Sequence, residues 1–299
     1  MDKRVDTLTD AQLKWSTPVD VGRSRVRVSF HNPLLMLGSC FADNIGGRMR
    51  TVGFDALVNP LGTMYNPLSI LDTLRRIDSA TPFTRADCVP VGAGDGRVCS
   101  FYHHTRHARP TPEEFLSDAN AGLASAHEHW ARCETLIVTL GTAWCFRHNG
   151  LGRVVGNCLK HVAGEFTRFR MAPTDCADAL RQIVDIAGPR GVIFTVSPIR
   201  HKADGAHGNQ LSKSTLLLAV DDALGSRPSA RADYFPAYEI LMDELRDYRF
   251  YADDMAHPSS MAEDYVYRRF MDFALPPVDR PALQDGERQA RRMAHVKMS

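Results

Sequence analysis

The feature that most constrains the fold is a short apolar segment that ends at a glycine and a serine, LLMLGS at residues 34–39. Four consecutive apolar residues bounded by a glycine are typical of a buried strand that ends in a turn. Phe41, Ile45 and Met49 then follow at helical spacing. The segment therefore predicts a strand, a sharp turn and a helix, with the Ser39 hydroxyl at the carboxyl end of the strand.

Ser39 has two interpretations at this position. Serine is one of the residues preferred at a helix N-cap, where its side chain accepts a backbone hydrogen bond. The free N–H groups of a helix N-terminus also stabilise an alkoxide or a neighbouring oxyanion, which suits a catalytic nucleophile. The segment alone does not decide between the two roles.

Composition and charge exclude several classes of protein. The chain has 299 residues, 44% hydrophobic and 24% charged, with a formal net charge of +1. No charge excess indicates nucleic acid or a membrane surface as partner, and no apolar run is long enough for a membrane span or a signal-peptide core. The seven cysteines include no CxxC pair, so we expect free thiols rather than disulfides or a structural zinc site, and a cytoplasmic location.

Predicted strands and helices alternate along the chain. Strands are predicted at 26–30, 34–37, 135–140, 191–196 and 248–251, and a hairpin turn at Asn149-Gly150. Helices are predicted after Ser39 and at 67–78, 111–130, 174–188, 211–224, 238–246 and 260–273. Asn66 and Pro67 are expected as the N-cap and first-turn residue of the helix at 67–78, and Ser260 with Glu263 has the capping-box spacing that starts the last helix. The alternation predicts an α/β fold in which a mainly parallel sheet is covered by helices on both faces.

We expect a single α/β domain over residues 25–275, with insertions near 81–110 and 143–170. Residues 1–24 are expected to form an irregular lead-in, and residues 276–299 are expected to be a poorly ordered tail because they show no apolar period. In a parallel sheet, ligands bind outside the carboxyl ends of the strands. Ser39, Gly62, Gly141-Thr142 and Ser197-Pro198 all fall at or after such ends, so they should share one edge of the sheet.

A second candidate pattern is DDMAHP at residues 253–258. The three-residue offset between Asp254 and His257 lets the carboxylate orient the imidazole. A serine hydroxyl is a weak nucleophile until a base held in one tautomer takes its proton. Ser39, His257 and Asp254 are therefore candidates for the nucleophile, the base and the orienting carboxylate. A surface histidine and a solvated loop carboxylate are the alternatives.

Several motifs in order along the chain make it resemble the GSCFA domain family, and through it the SGNH (GDSL-like) esterases. They are GSCFA at 38–42, NPLGT at 59–63, LGTAW at 140–144, GNC at 156–158, SPIRH at 197–201, LSK at 211–213 and DMAHP at 254–258. The resemblance implies a flavodoxin-like three-layer α/β/α sandwich. It also implies a serine hydrolase that cleaves a carboxylic ester, such as an O-acyl group on a sugar, through a Ser39 acyl-enzyme. An O-acyltransferase with the same triad, or a binding domain that kept the fold, is the alternative.

By the same resemblance, Asp254 and His257 complete the triad, and the N–H groups of Ser39 and Gly62 form part of an oxyanion hole. SGNH enzymes usually supply a further donor from the asparagine of a Gly-x-Asn-Asp motif. Ala143 stands at that position here and cannot donate, so Asn157 or Thr142 is the expected substitute. Leu159 stands where relatives usually have a histidine.

Arg200 and His201 follow a predicted strand and are candidates for binding an anionic or hydroxylated substrate, unless they only decorate the edge. His103, His104 and His107 form either a metal site or a plain polar loop, and the loop is preferred. Cys40 is expected to pack beside the nucleophile. We therefore expect a small-molecule or saccharide ester as substrate and no cofactor, metal, nucleic acid or membrane partner, and the oligomeric state stays open.

Overall fold

The structure is a computed structural model that describes residues 16–228 and 230–296. Its strands are β1 (Leu34–Gly38), β2 (Ala56–Val58), β3 (Val89–Pro90), β4 (Val98–Cys99), β5 (Thr135–Leu140), β6 (Trp144–His148), β7 (Val154–Val155), β8 (Phe166–Arg170), β9 (Gly191–Val196) and β10 (Ala232–Phe235). Its helices are α1 (Cys40–Thr51), α2 (Pro67–Ser79), α3 (Pro112–Arg132), α4 (Pro173–Ala187), α5 (Gly205–Gly225), α6 (Ala237–Glu239), α7 (Ser260–Ala274) and α8 (Arg280–Val296).

The core is a five-stranded parallel sheet in the order β2-β1-β5-β9-β10. Numbered along the sheet's own strands, this is the 2-1-3-4-5 order of flavodoxin-like folds. Alternate residues of β1 point to opposite faces. Leu35 and Leu37 join the cluster that includes the buried sides of α2 to α5, whereas Leu34 and Met36 join the cluster with α1 and α7. The three-layer α/β/α sandwich is confirmed.

The two predicted insertions form small antiparallel sheets. Within 81–110, β3 pairs with β4, and within 143–170 the strands have the order β7-β6-β8. The hairpin turn at Asn149-Gly150 is confirmed, because β6 and β7 on either side of it pair antiparallel. The third strand of that sheet, β8, was not predicted, since its alternation of aromatic and charged residues is short.

Two predicted strands are wrong. Residues 26–30 form no strand, because the backbone N–H of Val28 donates to the Ala274 carbonyl at the end of α7 instead of to a strand. Val26 and Val28 are nevertheless buried, as the alternation indicated. Tyr248–Phe250 form a 3₁₀ turn that is capped by the Asp247 side chain. The fifth strand of the sheet is β10 instead, four residues at the sheet edge.

Most predicted helices are present, with shifted ends. The Asn66 side chain caps α2 by accepting the Ser69 N–H, and Pro67 occupies its first turn, as predicted. Helix α7 is capped by Ser259 rather than by Ser260. Helix α5 begins at Gly205, six residues earlier than predicted, and α6 continues as a π-helix over Ile240–Leu245.

The predicted poorly ordered tail is wrong, because Arg280–Val296 form α8. Leu283 packs against the core cluster of α1 and α7, and Gly286 lies so close to α1 that a β-carbon there would be 2.1 Å from the Val52 carbonyl oxygen. At the other terminus, residues 16–24 contain no helix or strand, and residues 1–15 of the predicted lead-in lie outside the described part of the chain. Over the described ranges, no helix has both the length and the apolarity needed to cross a membrane.

Candidate active site

The turn that presents Ser39 depends on a glycine. Gly38 has φ +138°, and a β-carbon there would lie 2.1 Å from the Thr139 carbonyl oxygen on the neighbouring strand β5. Such a backbone conformation is essentially restricted to glycine. The chain therefore passes close to β5 before it enters α1, which leaves Ser39 at the N-cap of that helix.

Ser39 is held by Thr139. The Ser39 N–H donates to the Thr139 carbonyl at 3.1 Å and to the Thr139 hydroxyl at 3.0 Å. The two hydroxyl oxygens are 3.3 Å apart, and the Ser39 hydroxyl also accepts the Phe41 N–H at 3.3 Å. Ser39 is only 1% exposed. Both interpretations of the residue thus remain compatible, since it caps α1 and lies at the carboxyl edge of the sheet.

The loop after β2 is bonded to the same turn. The Asn59 side chain accepts the Gly38 N–H at 2.9 Å and donates to the Asp43 carboxylate at 2.9 Å, while the Met64 N–H donates to the Gly38 carbonyl at 2.9 Å. The Gly62 N–H lies within this loop and donates to the Asn59 carbonyl at 2.9 Å. Two of the expected oxyanion-hole donors, the N–H groups of Ser39 and Gly62, are therefore engaged with backbone carbonyls.

The Asp254–His257 pair has the geometry that its spacing indicated. One Asp254 carboxylate oxygen lies 2.6 Å from Nδ1 of His257, and the other accepts the N–H groups of Ala256 at 2.8 Å and His257 at 2.9 Å. The backbone N–H of His257, then its side chain and the Ala256 N–H, hold the pKa of Asp254 well below its usual value. Asp253 is exposed and has no side-chain hydrogen bond to the described residues.

The loop that carries this pair docks on the segment after β9. The Arg200 N–H donates to the Ala256 carbonyl at 2.9 Å, and its guanidinium donates to the Met255 carbonyl at 3.3 Å. On the other side, Glu263 in the first turn of α7 accepts a hydrogen bond from Asn44 of α1. Both halves of the expected triad thus lie at the carboxyl edge of the sheet. Among the described residues, however, no hydrogen bond joins Ser39 to His257.

The two expected substitutes for the missing asparagine differ in availability. The Thr142 hydroxyl lies 2.9 Å from that of Ser212 and accepts the Trp144 N–H at 3.1 Å, so it supports its own loop. The Asn157 side-chain nitrogen is buried and has no hydrogen-bond partner among the described residues. A buried amide nitrogen without a partner is costly, so Asn157, unlike Thr142, keeps an uncommitted donor.

Gly156, the residue before Asn157, packs against Met64 of the loop after β2. A β-carbon at Gly156 would be 2.3 Å from the Met64 sulfur, and Met64 is bonded to the Gly38 carbonyl as described above. Leu159, at the position where the resemblance led us to expect a histidine, is 2% exposed and packs in the core. Leu159 has φ +48° and therefore adopts a left-handed backbone.

His201 lies near Lys213, the lysine of the LSK motif, for which the sequence alone indicates no role. Nε2 of His201 lies 3.2 Å from the Gly141 carbonyl oxygen, and burial, then the charge of Lys213, lowers its pKa to about 4. Lys213 is 1% exposed, and its ammonium donates to the carbonyls of Gly141 at 2.6 Å and Ser197 at 2.7 Å. Lys213 therefore ties together the ends of β5 and β9. Its signal in the sequence is the LSK motif at 211–213, to which we assigned no role.

The remaining candidate residues, Cys40 and the histidines of the 103–107 loop, make contacts that support the fold. Burial, then the charge of Asp43, raises the pKa of Cys40 to about 11, so its thiol is neutral near pH 7. Nδ1 of His103 lies 2.7 Å from the Ser100 hydroxyl, and its ring packs against Phe115. Over residues 16–228 and 230–296, no group of three or more histidine, cysteine or acidic side chains is arranged to hold a metal ion.

A model of the GSCFA family matches residues 33–270. This chain belongs to the GSCFA family. No curated protein matches the chain. Among solved structures, the GSCFA chain is similar to an acetyl xylan esterase, Est2A, from the rumen bacterium Butyrivibrio proteoclasticus. The two share 11% sequence identity and a TM-score of 0.36 over 83% of this chain, which spans 64% of the esterase chain.

Proposed function

We propose that this GSCFA protein is a serine hydrolase that cleaves a carboxylic ester, such as an O-acyl group on a sugar, with Ser39, His257 and Asp254 as its catalytic triad. The observation that carries the proposal is the Asp254 carboxylate, which is fixed by two backbone N–H groups and lies 2.6 Å from Nδ1 of His257. This contact presets the tautomer in which Nε2 is free to accept a proton.

The proposed reaction uses these groups in two steps. Nε2 of His257 takes the hydroxyl proton of Ser39 while the oxygen attacks the ester carbonyl. The carbon–oxygen bond to the alcohol then breaks, and the alcohol leaves with the proton from His257, so that an acyl-enzyme remains on Ser39. Water deprotonated by His257 attacks this acyl-enzyme and releases the carboxylic acid and the free Ser39 hydroxyl.

The first step requires a rotation of the Ser39 side chain. Its hydroxyl now lies 3.3 Å from that of Thr139, and no hydrogen bond joins it to His257 among the described residues, so the proposed proton transfer needs a turn about χ1. Staggered rotamers of serine interconvert readily, so this change is small compared with a catalytic barrier. Cys40 does not compete as nucleophile, because its raised pKa of about 11 leaves little thiolate.

We assign the leading oxyanion-hole donor to the Asn157 side chain. Its nitrogen is buried and unpartnered within the described residues, so it can donate to a developing negative charge without breaking a bond. The N–H groups of Ser39 and Gly62 contribute only after they turn from the carbonyls that they now contact. Arg200 and His201 belong to the substrate-binding side of the same edge.

A non-catalytic binding domain is the second candidate. It is favoured by the 1% exposure of Ser39 and by the engagement of its hydroxyl and N–H with Thr139. The same chain would then bind an ester or saccharide without cleaving it. An O-acyltransferase would share the first reaction step and differ only when an alcohol replaces water in the second.

Hydrolysis of 4-nitrophenyl acetate by the wild type and three variants tests the proposal. Ser39→Ala should abolish turnover, and Asp254→Asn should lower kcat by about 10³–10⁴-fold because the imidazole loses its fixed tautomer. Asp253→Asn is the matched control, since Asp253 is exposed and outside the pair, and it should retain near-normal kcat.

Turnover that survives Ser39→Ala, or equal losses for the two aspartate variants, would overturn the assignment. An inactive wild type that is correctly folded would favour the binding domain instead. A hydrolase and a transferase are distinguished by adding a simple alcohol, because only the transferase converts it to an ester in preference to hydrolysis.

A further inference from the structure

A cavity of about 480 Å³ lies next to the loop that carries Asp254 and His257. Its walls come from the segment after β9, the first turns of α5 and the segment that follows the π-helix. Two residues of its wall donate hydrogen bonds to the loop that carries Asp254 and His257. The Arg200 N–H donates to the Ala256 carbonyl at 2.9 Å, and the Lys202 ammonium donates to the Asp254 carbonyl.

The charges that line this cavity are mostly positive. Arg200, Lys202 and Arg246 contribute cations, and the single carboxylate among the lining residues is Asp247. Asp247 is already paired with Arg249 at 3.0 Å and caps the following turn. The cavity therefore presents an excess of positive charge, and an anion inside it would meet little repulsion.

Arg246 is the cation that lacks a function in the fold. Its side chain makes no hydrogen bond or ion pair with the residues that the structure describes, and the residue is exposed. It ends the π-helix with φ +29°, an uncommon backbone conformation for arginine. π-helical segments and such outliers are found frequently at functional sites.

Two amide side chains add hydrogen-bond donors. Asn209 is 7% exposed and uses its oxygen to accept the His201 N–H at 3.0 Å. Its nitrogen has no partner within the described part of the chain. Gln210 likewise accepts a hydrogen bond from the Tyr238 hydroxyl, which leaves its nitrogen available. Both residues line the cavity, Asn209 buried and Gln210 exposed, so its wall offers two amide donors to an anion.

Two tyrosine rings form the outer wall. The ring centroids of Tyr248 and Tyr251 are 6.3 Å apart, and Tyr248 is 71% exposed. The Arg200 guanidinium lies 5.3 Å from the centroid of Tyr251. Exposed aromatic faces provide an apolar contact surface with a polar rim, which suits a ring that carries hydroxyl groups.

We propose that this cavity binds an oxyanion, a carboxylate or a phosphate, carried by a saccharide ester substrate. The inference rests on the proposed function, because it makes the cavity the substrate subsite beside His257. It adds that the preferred ester is anionic and names Arg246, Asn209 and Gln210 as recognition residues. Arginine and amide nitrogens can bind either a carboxylate or a phosphate. The experiment below distinguishes these two groups.

Calorimetric titration with three sugars that share one ring tests the inference without any hydrolysis. Glucose 6-phosphate, glucuronate and glucose are each titrated into the wild-type chain. At least one of the two anionic sugars should bind, and glucose should bind at least about tenfold more weakly, as expected when a charge-assisted contact is lost. The anionic sugar that binds more tightly shows whether the cavity prefers a phosphate or a carboxylate.

Arg246→Gln should weaken binding of that anion by about tenfold, and Arg268→Gln should not change it. Arg268 is the matched control because it is exposed on α7 and does not line the cavity. Equal binding of the three sugars, no binding of either anion, or equal effects of the two arginine variants would overturn the inference.

A competition measurement links the cavity to the active site. The anion that binds should inhibit hydrolysis of 4-nitrophenyl acetate competitively, and glucose at the same concentration should not. Binding without competition would refute the assignment as substrate subsite. If the protein hydrolyses no ester, the proposed function fails, whereas the titrations still decide whether the cavity binds an anion.

Discussion

Replacing Gly38 by alanine tests the turn on which the site depends. The new β-carbon would lie 2.1 Å from the Thr139 carbonyl oxygen and 2.5 Å from its hydroxyl oxygen. The nearer atom is backbone of β5, a central strand whose six residues are all buried. The clash therefore cannot be relieved by a side-chain rotation, and either the strand or the turn has to move.

The magnitude follows from two contributions. A φ of +138° costs a non-glycine residue about 1–3 kcal/mol, and forcing an extra carbon into a packed interior costs about 1–3 kcal/mol more. Gly38→Ala should therefore lower the free energy of unfolding by about 2–6 kcal/mol, a large share of the 5–15 kcal/mol typical of native proteins.

Gly47→Ala is the matched control in the adjoining helix α1. A β-carbon at Gly47 meets no atom within 4 Å, and alanine is the better helix former by about 0.5–1 kcal/mol. This variant should be more stable than the wild type.

Urea unfolding followed by circular dichroism measures both free energies of unfolding. If Gly38→Ala lost less than about 1 kcal/mol, or if the two variants changed stability in the same direction, the proposed geometry of the turn would be refuted.

Two further variants test the contacts around the site. Thr139→Val removes the hydroxyl that contacts Ser39 and should lower both stability, by about 1 kcal/mol, and kcat, whereas Thr139→Ser should retain both. Because burial lowers the pKa of Lys213 to about 7 from 10.5, unfolding takes up a proton between these pH values, and raising the pH opposes unfolding. The free energy of unfolding of the wild type should thus rise from pH 7 to pH 9 relative to that of Lys213→Met, and parallel pH profiles in urea unfolding would contradict this.

Local signals in the sequence were sufficient for much of the fold. The apolar run before Gly38 predicted β1 and the start of α1, because only a buried strand accommodates such a run before a glycine turn. Asn66 and Pro67 located the start of α2, since a cap and a first-turn proline act within a few residues. The alternation of strands and helices, together with the family resemblance, predicted a mainly parallel sheet covered by helices on both faces.

The errors arose where distant contacts decide the local structure. The sequence YRFY at 248–251 alternates as a strand does, yet the Asp247 side chain caps a 3₁₀ turn there. β10 has only four residues and contains Asp233, so it shows no apolar run. Helix α8 packs through Leu283 and Gly286 against the region of α1, and no residue near them in the sequence indicates that contact.

In the candidate site, too, the local contacts were predictable from the sequence and the long-range contacts were not. The contact between Asp254 and His257 follows from their spacing, because three residues of loop bring the two side chains together. The engagement of Ser39 by Thr139 joins positions 100 residues apart, and the burial of Lys213 depends on the ends of two strands. Such long-range contacts leave no local pattern in a single sequence.

The central claim is that Ser39 is a nucleophile activated by His257 and Asp254. The most direct measurement is labelling of the folded protein with a fluorophosphonate, followed by mass mapping of the modified peptide. We expect one phosphonylated residue, Ser39, in the wild type and much slower labelling of Asp254→Asn than of Asp253→Asn. A folded protein that stays unlabelled, or is modified at another residue, would contradict the account.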